Sequence, residues 1–418
     1  MNIMRMTPLN KCLTLALIVF LSFSGHTRAA TDQSGWGDWL IDQLTQHPEL
    51  VAARHRIEIN HTIAQGYQQA LYNPELETEF EHEGSDNNIR IGVSQTIDWW
   101  DKQGARQQQG QHSLTGAEQA YQLLLQQKAA TALKTLIEWQ LAGEQAEQAR
   151  NRENQLGTLI ELVRQRQQAG DLAQLDAELV FLSLSQTLNT TAQAEVQLKQ
   201  LEVSLRQQLP QWSAQSLQPS QLKWSIEGFA SNAEQNEQWI DQFPEVLAAR
   251  AEWKLAQQSA QLSRVENRAD PTFGINAGTA GDDTVLALSF SMPLQIRNNY
   301  SAETETALQQ ALTAESDYLA LRRQQLFAIE SSQVALDEYR QRYEHWQRIM
   351  QGRSERTETL LKTLWTNGDM NTSDYLLALQ QINEGLIAGL ELHSHYQLAH
   401  IDWLLQTGQI LTALQQLK

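Results

Sequence analysis

Residues 47–54 read HPELVAAR and residues 243–250 read FPEVLAAR, so one eight-residue stretch occurs twice, 196 positions apart. Two pairs of shorter landmarks recur at nearly the same distance. They are Asn73-Pro74 with Asp270-Pro271, and Gly170-Asp171 with Gly368-Asp369. A nearly constant offset indicates an internal duplication, because each half then carries the same elements in the same order.

The first 29 residues are expected to be a secretory signal peptide. Arg5 and Lys11 precede an apolar run over residues 12–23, and Thr27-Arg28-Ala29 offers small residues for cleavage. The run is too short to span a membrane. The only cysteine of the sequence, Cys12, lies in this segment, so no disulfide and no Cys-based metal site is expected in the rest.

The formal net charge is −18 at pH 7. Such an acidic balance argues against nucleic acid as a partner, because phosphates would be repelled. Beyond the leader, no apolar run approaches the roughly 18 residues of a membrane helix. The composition predicts an exported, soluble protein, unless the chain crosses a membrane as a β-barrel, whose sequence signal is weaker.

The placement of proline predicts long helices, because no proline falls between residues 75 and 209 or after Pro293. The predicted helices are 48–73, 103–170 and 172–209 in the first repeat, and 244–269, 300–367 and 370 onward in the second. The long helix, about 100 Å, is expected to lie beside two shorter helices stacked end to end. The predicted seam consists of Ala130, Leu133, Ile137 and Leu141 on one limb, and Leu175, Leu179 and Leu182 on the other.

Each repeat also contains two strand-like runs. Residues 75–83 read ELETEFEHE, in which every second residue is Glu. A strand places such residues on one face, whereas a helix would scatter them. After a turn signal at 84–87, residues 89–97 alternate apolar and polar, and 273–292 repeat this alternation around a turn at 281–283.

These strands favour a membrane location. Each is roughly 8–10 residues long, which suffices to cross hydrocarbon at a tilt, and Trp99 and Trp100 follow the second strand, where interfacial aromatics are expected. Four strands cannot close a barrel, and lipid does not tolerate an open edge. Three copies would give 12 strands. The residues predicted to face the barrel lumen are Glu75, Glu77, Glu79, Glu81, Glu83 and Arg90.

The chain resembles the TolC family of outer-membrane efflux ducts along essentially its whole length after the leader. The resemblance rests on the HPEL-type stretches that open each repeat, the Asn-Pro pair before the first hairpin and the Gly-Asp pairs. The stretches YNPEL at 72–76 and VSQTI at 93–97, followed by Lys102 and Arg106, look most similar to the cation-efflux (CzcC-like) branch. The resemblance implies a homotrimer with a 12-stranded barrel in the outer membrane and an α-helical tunnel in the periplasm. It also implies a periplasmic adaptor (membrane fusion protein) and an inner-membrane pump of the RND type as partners.

The resemblance implies two further kinds of site. It places Gly170-Asp171 and Gly368-Asp369 at periplasmic tips that dock onto the adaptor. It places Asp374 at the closed periplasmic entrance, with Leu377 where some relatives carry a second aspartate. The residues themselves leave simpler readings open: the glycines can end helices, and Asp374 can cap a helix, as Asp176 can in the first repeat.

The predicted fold is mainly α with a small membrane β part, built from duplicated long α-helical hairpins and two β-hairpins. The predicted division is 1–29 signal peptide, 30–74 first-repeat helix, 75–101 first β-hairpin, 102–209 first helical hairpin, 210–243 connector with a short strand near 224–226, 244–271 second-repeat helix, 272–295 second β-hairpin, and 296–418 second helical hairpin with the C-terminal helix.

The predicted function is a passive exit duct of a tripartite efflux system in the outer membrane of a Gram-negative bacterium, with heavy-metal cations as one candidate cargo. Drugs or a secreted polypeptide are alternative cargoes, and a periplasmic helical-hairpin adaptor is an alternative function that the amphipathic strands oppose. No nucleophile elbow, phosphate loop or general-acid pair stands out, so neither an enzyme nor a cofactor is expected. His393, His395 and His400 lack metal-ligand spacing, so no metal site is predicted.

Overall fold

The computed structural model describes residues 35–84, 86–169, 174–214, 240–350 and 352–416. The predicted signal peptide, the predicted strand near 224–226 and the first tip, Gly170-Asp171, lie outside these ranges. Most of the described residues are helical, and four strands form one antiparallel sheet. The predicted fold class, mainly α with two β-hairpins and duplicated long helical hairpins, is confirmed.

The described elements follow the order of the duplication. The helices are α1 Trp36–Thr45, α2 Pro48–Gly66, α3 Lys102–Ala169, α4 Gln174–Gln208, α5 Pro244–Glu266, α6 Ser301–Met350, α7 Arg353–Asn367, α8 Thr372–Gln406 and α9 Ile410–Gln416. The strands are β1 Glu75–Glu83, β2 Asp86–Thr96, β3 Thr272–Ala280 and β4 Asp283–Ser291.

Each repeat contains a helix that begins at a proline, a β-hairpin, a long helical limb and a returning helix. Pro48 and Pro244 occupy the first turn of α2 and α5, where the N–H that proline lacks would have no helical partner. Helix α3 contacts both α2 and α4, as expected for one long helix beside two shorter ones. Its 68 residues span about 100 Å.

Helix ends differ from the sequence prediction. Helix α2 ends at Gly66 rather than at residue 73, and α5 ends at Glu266 rather than at 269. In both repeats an X-Pro pair follows, and the residue before a proline is disfavoured in the helical region. The residue before each proline, Asn73 or Asp270, therefore lies outside the helix. Helix α1 is an additional element that the periodicity does not indicate.

The prediction of an unbroken helix over 300–367 is wrong. The limb consists of α6, which ends at Met350, and α7, which begins at Arg353. Gly352 between them has a φ of +65°, in the left-handed region. Glycine adopts this conformation without the steric cost of a Cβ atom, so it can interrupt the helix here.

The predicted seam is partly correct, and two of its residues, Leu141 of α3 and Leu179 of α4, are half-buried. Ala130, Leu133 and Ile137 are buried, whereas Leu175 and Leu182 are 70% and 66% exposed. The buried residues of α4 are instead Ala177, Val180, Thr191 and Leu205. Apolar residues occur on more than one face of α4, and packing of the chain buries the face that carries Val180 and Leu205.

The sheet has the strand order β1-β2-β3-β4, with all neighbours antiparallel. Helix α3 follows β2 and α6 follows β4, so both long limbs extend from the same sheet. A hydrophobic cluster where α1, α3, α8 and α9 meet includes Leu44, Leu133, Trp403 and Leu414. A second cluster, which includes Val163, Val180 and Trp365, joins the far ends of the two helical hairpins.

None of the helices in the described ranges combines the length and the hydrophobicity that a membrane-spanning helix needs.

Candidate functional site

The two faces of the four-stranded sheet differ sharply in chemistry. One face, here called the acidic face, carries the Glu side chains of β1 at positions 75, 77, 79 and 81, because alternate residues of a strand share a face. Across the β1–β2 ladder Glu79 lies opposite Arg90. The Arg90 guanidinium lies 3.1 Å from a Glu79 carboxylate oxygen and 3.9 Å from one of Glu81. Arg90 therefore offsets part of the negative charge, whereas Glu75 and Glu77 form no ion pair within the described part of the chain.

Small residues complete the acidic face on β3 and β4. Asn276 and Ser289 share this face with Gly274 and Gly278, as the cross-strand pairs show. A Cβ atom on Gly278 would lie 2.2 Å from the carbonyl oxygen of Ile89, so the backbone leaves no room for a side chain there. The acidic face therefore carries long acidic side chains on β1 and small residues on β3.

The opposite face of the sheet, here called the apolar face, is hydrophobic and exposed in the single chain. Its side chains come from all four strands and are between 44% and 81% exposed. They are Leu76, Phe80, Ile89, Ile91, Val93, Phe273, Ile275, Leu286, Leu288 and Phe290. A contiguous apolar surface of this kind marks an interface with lipid or protein.

The two tryptophans predicted to lie at a membrane interface differ in environment. Strand β2 ends at Thr96, so both follow the strand by a few residues. Trp99 is 63% exposed. Trp100 donates a hydrogen bond from Nε1 to the carbonyl of Ala269 at 3.0 Å, and the Arg268 guanidinium lies 4.5 Å from its ring centroid. Trp100 therefore connects the end of β2 in the first repeat to residues 268–269 of the second repeat. The ring of Trp99 is more exposed to solvent.

A buried ion pair that the sequence analysis does not predict lies at the same junction. Lys102, the first residue of α3, places Nζ 2.8 Å from Oδ2 of Asp270, just before β3. The Tyr72 hydroxyl donates to Asp270 at 2.7 Å, and the backbone N–H of Trp99 donates at 3.2 Å. Burial opposes ionisation of Asp270, but the hydrogen bonds from Lys102 and Tyr72 outweigh it and hold its pKa below the usual value. Burial and this carboxylate raise the pKa of Tyr72 to about 12.

The sequence contains only a weak signal for this cluster. Asp270-Pro271 is a landmark of the duplication, and Lys102 is part of the resemblance, but nothing in either stretch indicates that the two residues meet. Arg106 and Glu266 form a second ion pair along the same seam between the repeats. Two basic residues of α3 therefore bind two acidic residues of the second repeat.

The second tip has a regular helix-stop geometry. Gly368 ends α7 with a φ of +82°, its N–H bonds to the carbonyl of Trp365, and the N–H of Asp369 bonds to that of Leu364. Arg166 of α3 donates to the carbonyls of Trp365 and Thr366 at 3.3 and 2.6 Å. A residue of the first repeat thus caps the last turn of α7, where a cation is favourable.

Asp374 and Leu377 lie on one exposed side of the first turns of α8. The helix is capped by Asn371, whose side-chain oxygen accepts the Asp374 N–H at 2.8 Å. The Asn371 amide in turn donates to the Asp374 carboxylate at 2.8 Å. Asp374 is therefore the third residue of the helix and not its cap. Leu377 is 54% exposed, one turn further on. The roles of Asp374 and Leu377 at an entrance remain predictions.

The described residues contain no group of three or more His, Cys, Asp or Glu side chains that could hold a metal ion. His393 stacks on Tyr343 at 4.7 Å between ring centroids, and His395 lies 5.2 Å from the ring of Tyr339. His400 is 3% exposed, and its Nε2 has no hydrogen-bond partner among the described residues. Burial lowers the pKa of His400 to about 4.

Comparison with known proteins finds its matches among solved structures. No protein-family model and no curated protein matches the chain. A membrane protein from Pseudomonas aeruginosa aligns with a TM-score of 0.74 and 15% identity over 88% of this chain and 89% of that chain. The CmeC outer membrane channel of Campylobacter jejuni aligns with a TM-score of 0.73 and 13% identity over 96% and 94%.

The open state of the MtrE outer membrane channel of Neisseria gonorrhoeae aligns with a TM-score of 0.73 and 15% identity, over 90% of this chain and 92% of that chain. These alignments cover between 88% and 96% of this chain and between 89% and 94% of the matched chains. The chain therefore has the fold of TolC-type outer-membrane channels.

Proposed function

We propose that the chain is the outer-membrane exit duct of a tripartite efflux system and works as a homotrimer. The observation that carries this proposal is the two-faced sheet. Its apolar face is exposed on all four strands, and its acidic face carries a row of carboxylates. Lipid on one side and water on the other is an arrangement that satisfies both faces.

Closure of the sheet requires further copies of the chain. Lipid does not tolerate unpaired strand edges, and four strands are too few for a barrel. Three copies supply 12 strands, with the acidic faces around one lumen. In this proposal residues 75–101 and 272–295 form the outer-membrane part. Residues 102–209 and 296–418 form a periplasmic tunnel, whose tips meet an adaptor and, through it, an RND-type pump.

The proposed cargo is heavy-metal cations, and the Glu ladder supports it. Three copies of the acidic face around one lumen would attract cations and repel anions. A periplasmic adaptor is a weaker proposal. The function of an adaptor does not require an exposed apolar face that continues over four strands. Organic drugs are a second candidate cargo. In this proposal the apolar face contacts lipid and does not line the lumen, so its chemistry does not discriminate between metal cations and drugs.

The proposal is tested by measuring the membrane location, the oligomeric state and the ion conduction of the protein. The protein is expressed in a Gram-negative host, and its membranes are separated by density. We expect it in the outer-membrane fraction, as a trimer in detergent, and as a cation-preferring pore in planar bilayers. A monodisperse, water-soluble monomer purified without detergent would overturn the proposal. Cation preference with no effect of the gene on metal tolerance would overturn the cargo alone.

A further inference from the structure

A polar cleft of about 360 Å³ lies where α3 and α4 of the first repeat face α8 of the second. Its charged members are Arg152 of α3 and Glu384 of α8, and none of its described lining residues is aromatic. Amide side chains line it from all three helices. They belong to Gln145, Gln186, Gln193, Gln197, Gln380 and Asn383. Such a lining offers hydrogen bonds and charge but no ring for stacking, so it suits a small polar molecule.

An ion pair between α3 and α8 sets the register of these two helices. Lys134 of α3 binds Asp402 of α8, and the helices run in opposite directions, because late residues of α3 cluster with early residues of α8. Arg152 and Glu384 each lie 18 residues from this pair, which is five full turns of an α-helix. The register therefore places Arg152 opposite Glu384, on the same faces that carry Lys134 and Asp402.

Arg152 is half-buried and forms no ion pair within the described part of the chain. Its neighbour Glu358 accepts a hydrogen bond from Gln155 at 2.8 Å instead. Burial lowers the pKa of Arg152, and the nearby Tyr375 and Glu358 offset part of this effect. A guanidinium has five N–H donors, so Arg152 lines the cleft as a cation that no described carboxylate pairs with.

Glu384 supplies the opposite charge of the cleft. Its side chain accepts a hydrogen bond from the Gln380 amide at 2.8 Å, and no base among the described residues forms an ion pair with it. Although the register places Arg152 opposite, the two side chains do not meet, and the cleft lies between them. The cleft therefore presents one positive and one negative group to the molecule that occupies it.

We propose that the cleft binds a free α-amino acid with a polar side chain, its carboxylate on Arg152 and its ammonium group on Glu384. A zwitterion satisfies both charges at once, whereas a simple anion or cation would leave one of them unpaired. Arginine binds carboxylates through two parallel hydrogen bonds, and an ammonium group donates three. The amides of Gln145 and Gln197 then remain for the side chain of the ligand.

The dimensions of the cleft fit such a ligand. Gln145 and Arg152 lie seven residues apart on α3, as do Gln380 and Ile387 on α8, and seven residues span about 10 Å. One extended residue covers about 3.6 Å or less, so there is room for the amino acid and for a side chain that runs along the helices. The bound ligand would join α3 and α4 of the first hairpin to α8 of the second. Binding here needs only the folded chain and does not depend on the proposed duct.

The common L-amino acids, added one at a time to the detergent-extracted full chain, test the site by thermal unfolding and isothermal titration. We expect at least one polar amino acid to bind and to raise the Tm, because a ligand of the folded state stabilises it. Its carboxamide derivative and its N-acetyl derivative should each bind about tenfold more weakly, because each lacks one charged partner. If sodium acetate or methylammonium chloride binds as tightly as the amino acid, the site is a simple ion site and the proposal is wrong.

Two variants assign the contacts. Arg152→Gln and Glu384→Gln should each weaken binding of that amino acid by about tenfold. In Arg152→Gln the carboxamide derivative should no longer bind more weakly than the amino acid itself, an effect that a merely structural role of Arg152 would not produce. The matched controls are Arg150→Gln and Glu391→Gln, which change exposed residues of the same helices outside the cleft lining. Both should bind as the wild type does.

The proposal is overturned if no L-amino acid binds, if the derivatives bind as tightly as the amino acid, or if both cleft variants retain the wild-type affinity. The derivatives are measured on the wild-type protein, so a variant that fails to fold leaves that part of the test intact.

Discussion

Lys102 Nζ lies 2.8 Å from Asp270 Oδ2, and both side chains are at most 8% exposed. One residue begins the long helix of the first repeat, and the other precedes the second β-hairpin. The pair therefore ties the helices of one repeat to the sheet of the other. It is the buried part of a seam whose second ion pair, Arg106–Glu266, is partly exposed.

Asp270→Asn is expected to destabilise the protein strongly, because Lys102 would remain buried with a neutral partner. Removing one member of a buried pair costs about 3–5 kcal/mol. The matched control is Glu266→Gln on the same seam, where solvent screens the charge and the cost should stay below about 1 kcal/mol. Denaturant unfolding of the detergent-solubilised protein measures both. Equal effects would mean that burial of Asp270 does not matter.

The same pair predicts a pH dependence. The pKa of Asp270 lies below its ordinary value of 3.8 in the folded protein. Its stabilising contribution is therefore complete above that value and is lost as the pH falls through the folded pKa. The difference in stability between wild type and Asp270→Asn should be constant near neutral pH and shrink below about pH 3.8. A difference that shrinks already near pH 6 would point to another group.

The strands of the sheet could be predicted from the sequence, whereas the contact between Lys102 and Asp270 that joins the two repeats could not. Strict alternation in ELETEFEHE is a local property, and the strand β1 occupies the same residues, 75–83. Which of several apolar faces of α4 packs on α3 is decided by tertiary contacts, so the prediction of Leu175 and Leu182 at the seam is wrong. The meeting of Lys102 with Asp270 depends on the β2–β3 pairing, which no local pattern specifies.

Neutralising the Glu ladder is expected to reduce cation preference. Replacement of Glu77, Glu79 and Glu81 with Gln removes three carboxylates per chain from the acidic face without changing side-chain size, so assembly should persist. In asymmetric salt the reversal potential should move toward zero. Arg90→Gln is the matched variant of opposite sign, because it removes the base that pairs with Glu79, and it should increase cation preference. Unchanged potentials in both variants would contradict a lumen-facing acidic face.

His400 is expected to make the protein less stable in mild acid. Its pKa is about 4 when folded, against an ordinary value of 6.5, because burial disfavours the charged ring. Between these values the unfolded chain binds a proton that the folded chain does not, so stability falls as the pH drops from 6.5 and levels off below about 4. The total loss is about 3 kcal/mol.

His400→Phe should remove most of this acid sensitivity, and His61→Phe on the exposed surface of α2 should not. Unfolding free energies between pH 4 and 7 measure the effect. Retention of the full slope in His400→Phe would assign the acid sensitivity to other groups.

The last prediction concerns the entrance proposed at Asp374 and Leu377. If α8 lines the tunnel, three copies of Asp374 surround one axis, and like charges at close range must be offset by protonation or a bound cation. Asp374→Asn keeps the shape of the side chain and removes the charge, so it should change conductance and reduce its sensitivity to divalent cations. Leu377→Ala should increase the basal conductance, because it would widen an apolar constriction one turn away. Single-channel recordings with and without Ca²⁺ measure both effects.

Two controls separate an entrance role from helix capping. Asn371→Ala removes the cap of α8 and the amide hydrogen bond to the Asp374 carboxylate but keeps the charge of Asp374, at a cost of about 1 kcal/mol in stability. Asp176→Asn changes the equivalent position of the first repeat. If Asp374 acts through its charge in the tunnel, neither control should reproduce the conductance change. If Asn371→Ala, which keeps the charge, reproduces the change fully, the conductance depends on the capped start of α8 and not on the charge of Asp374 alone.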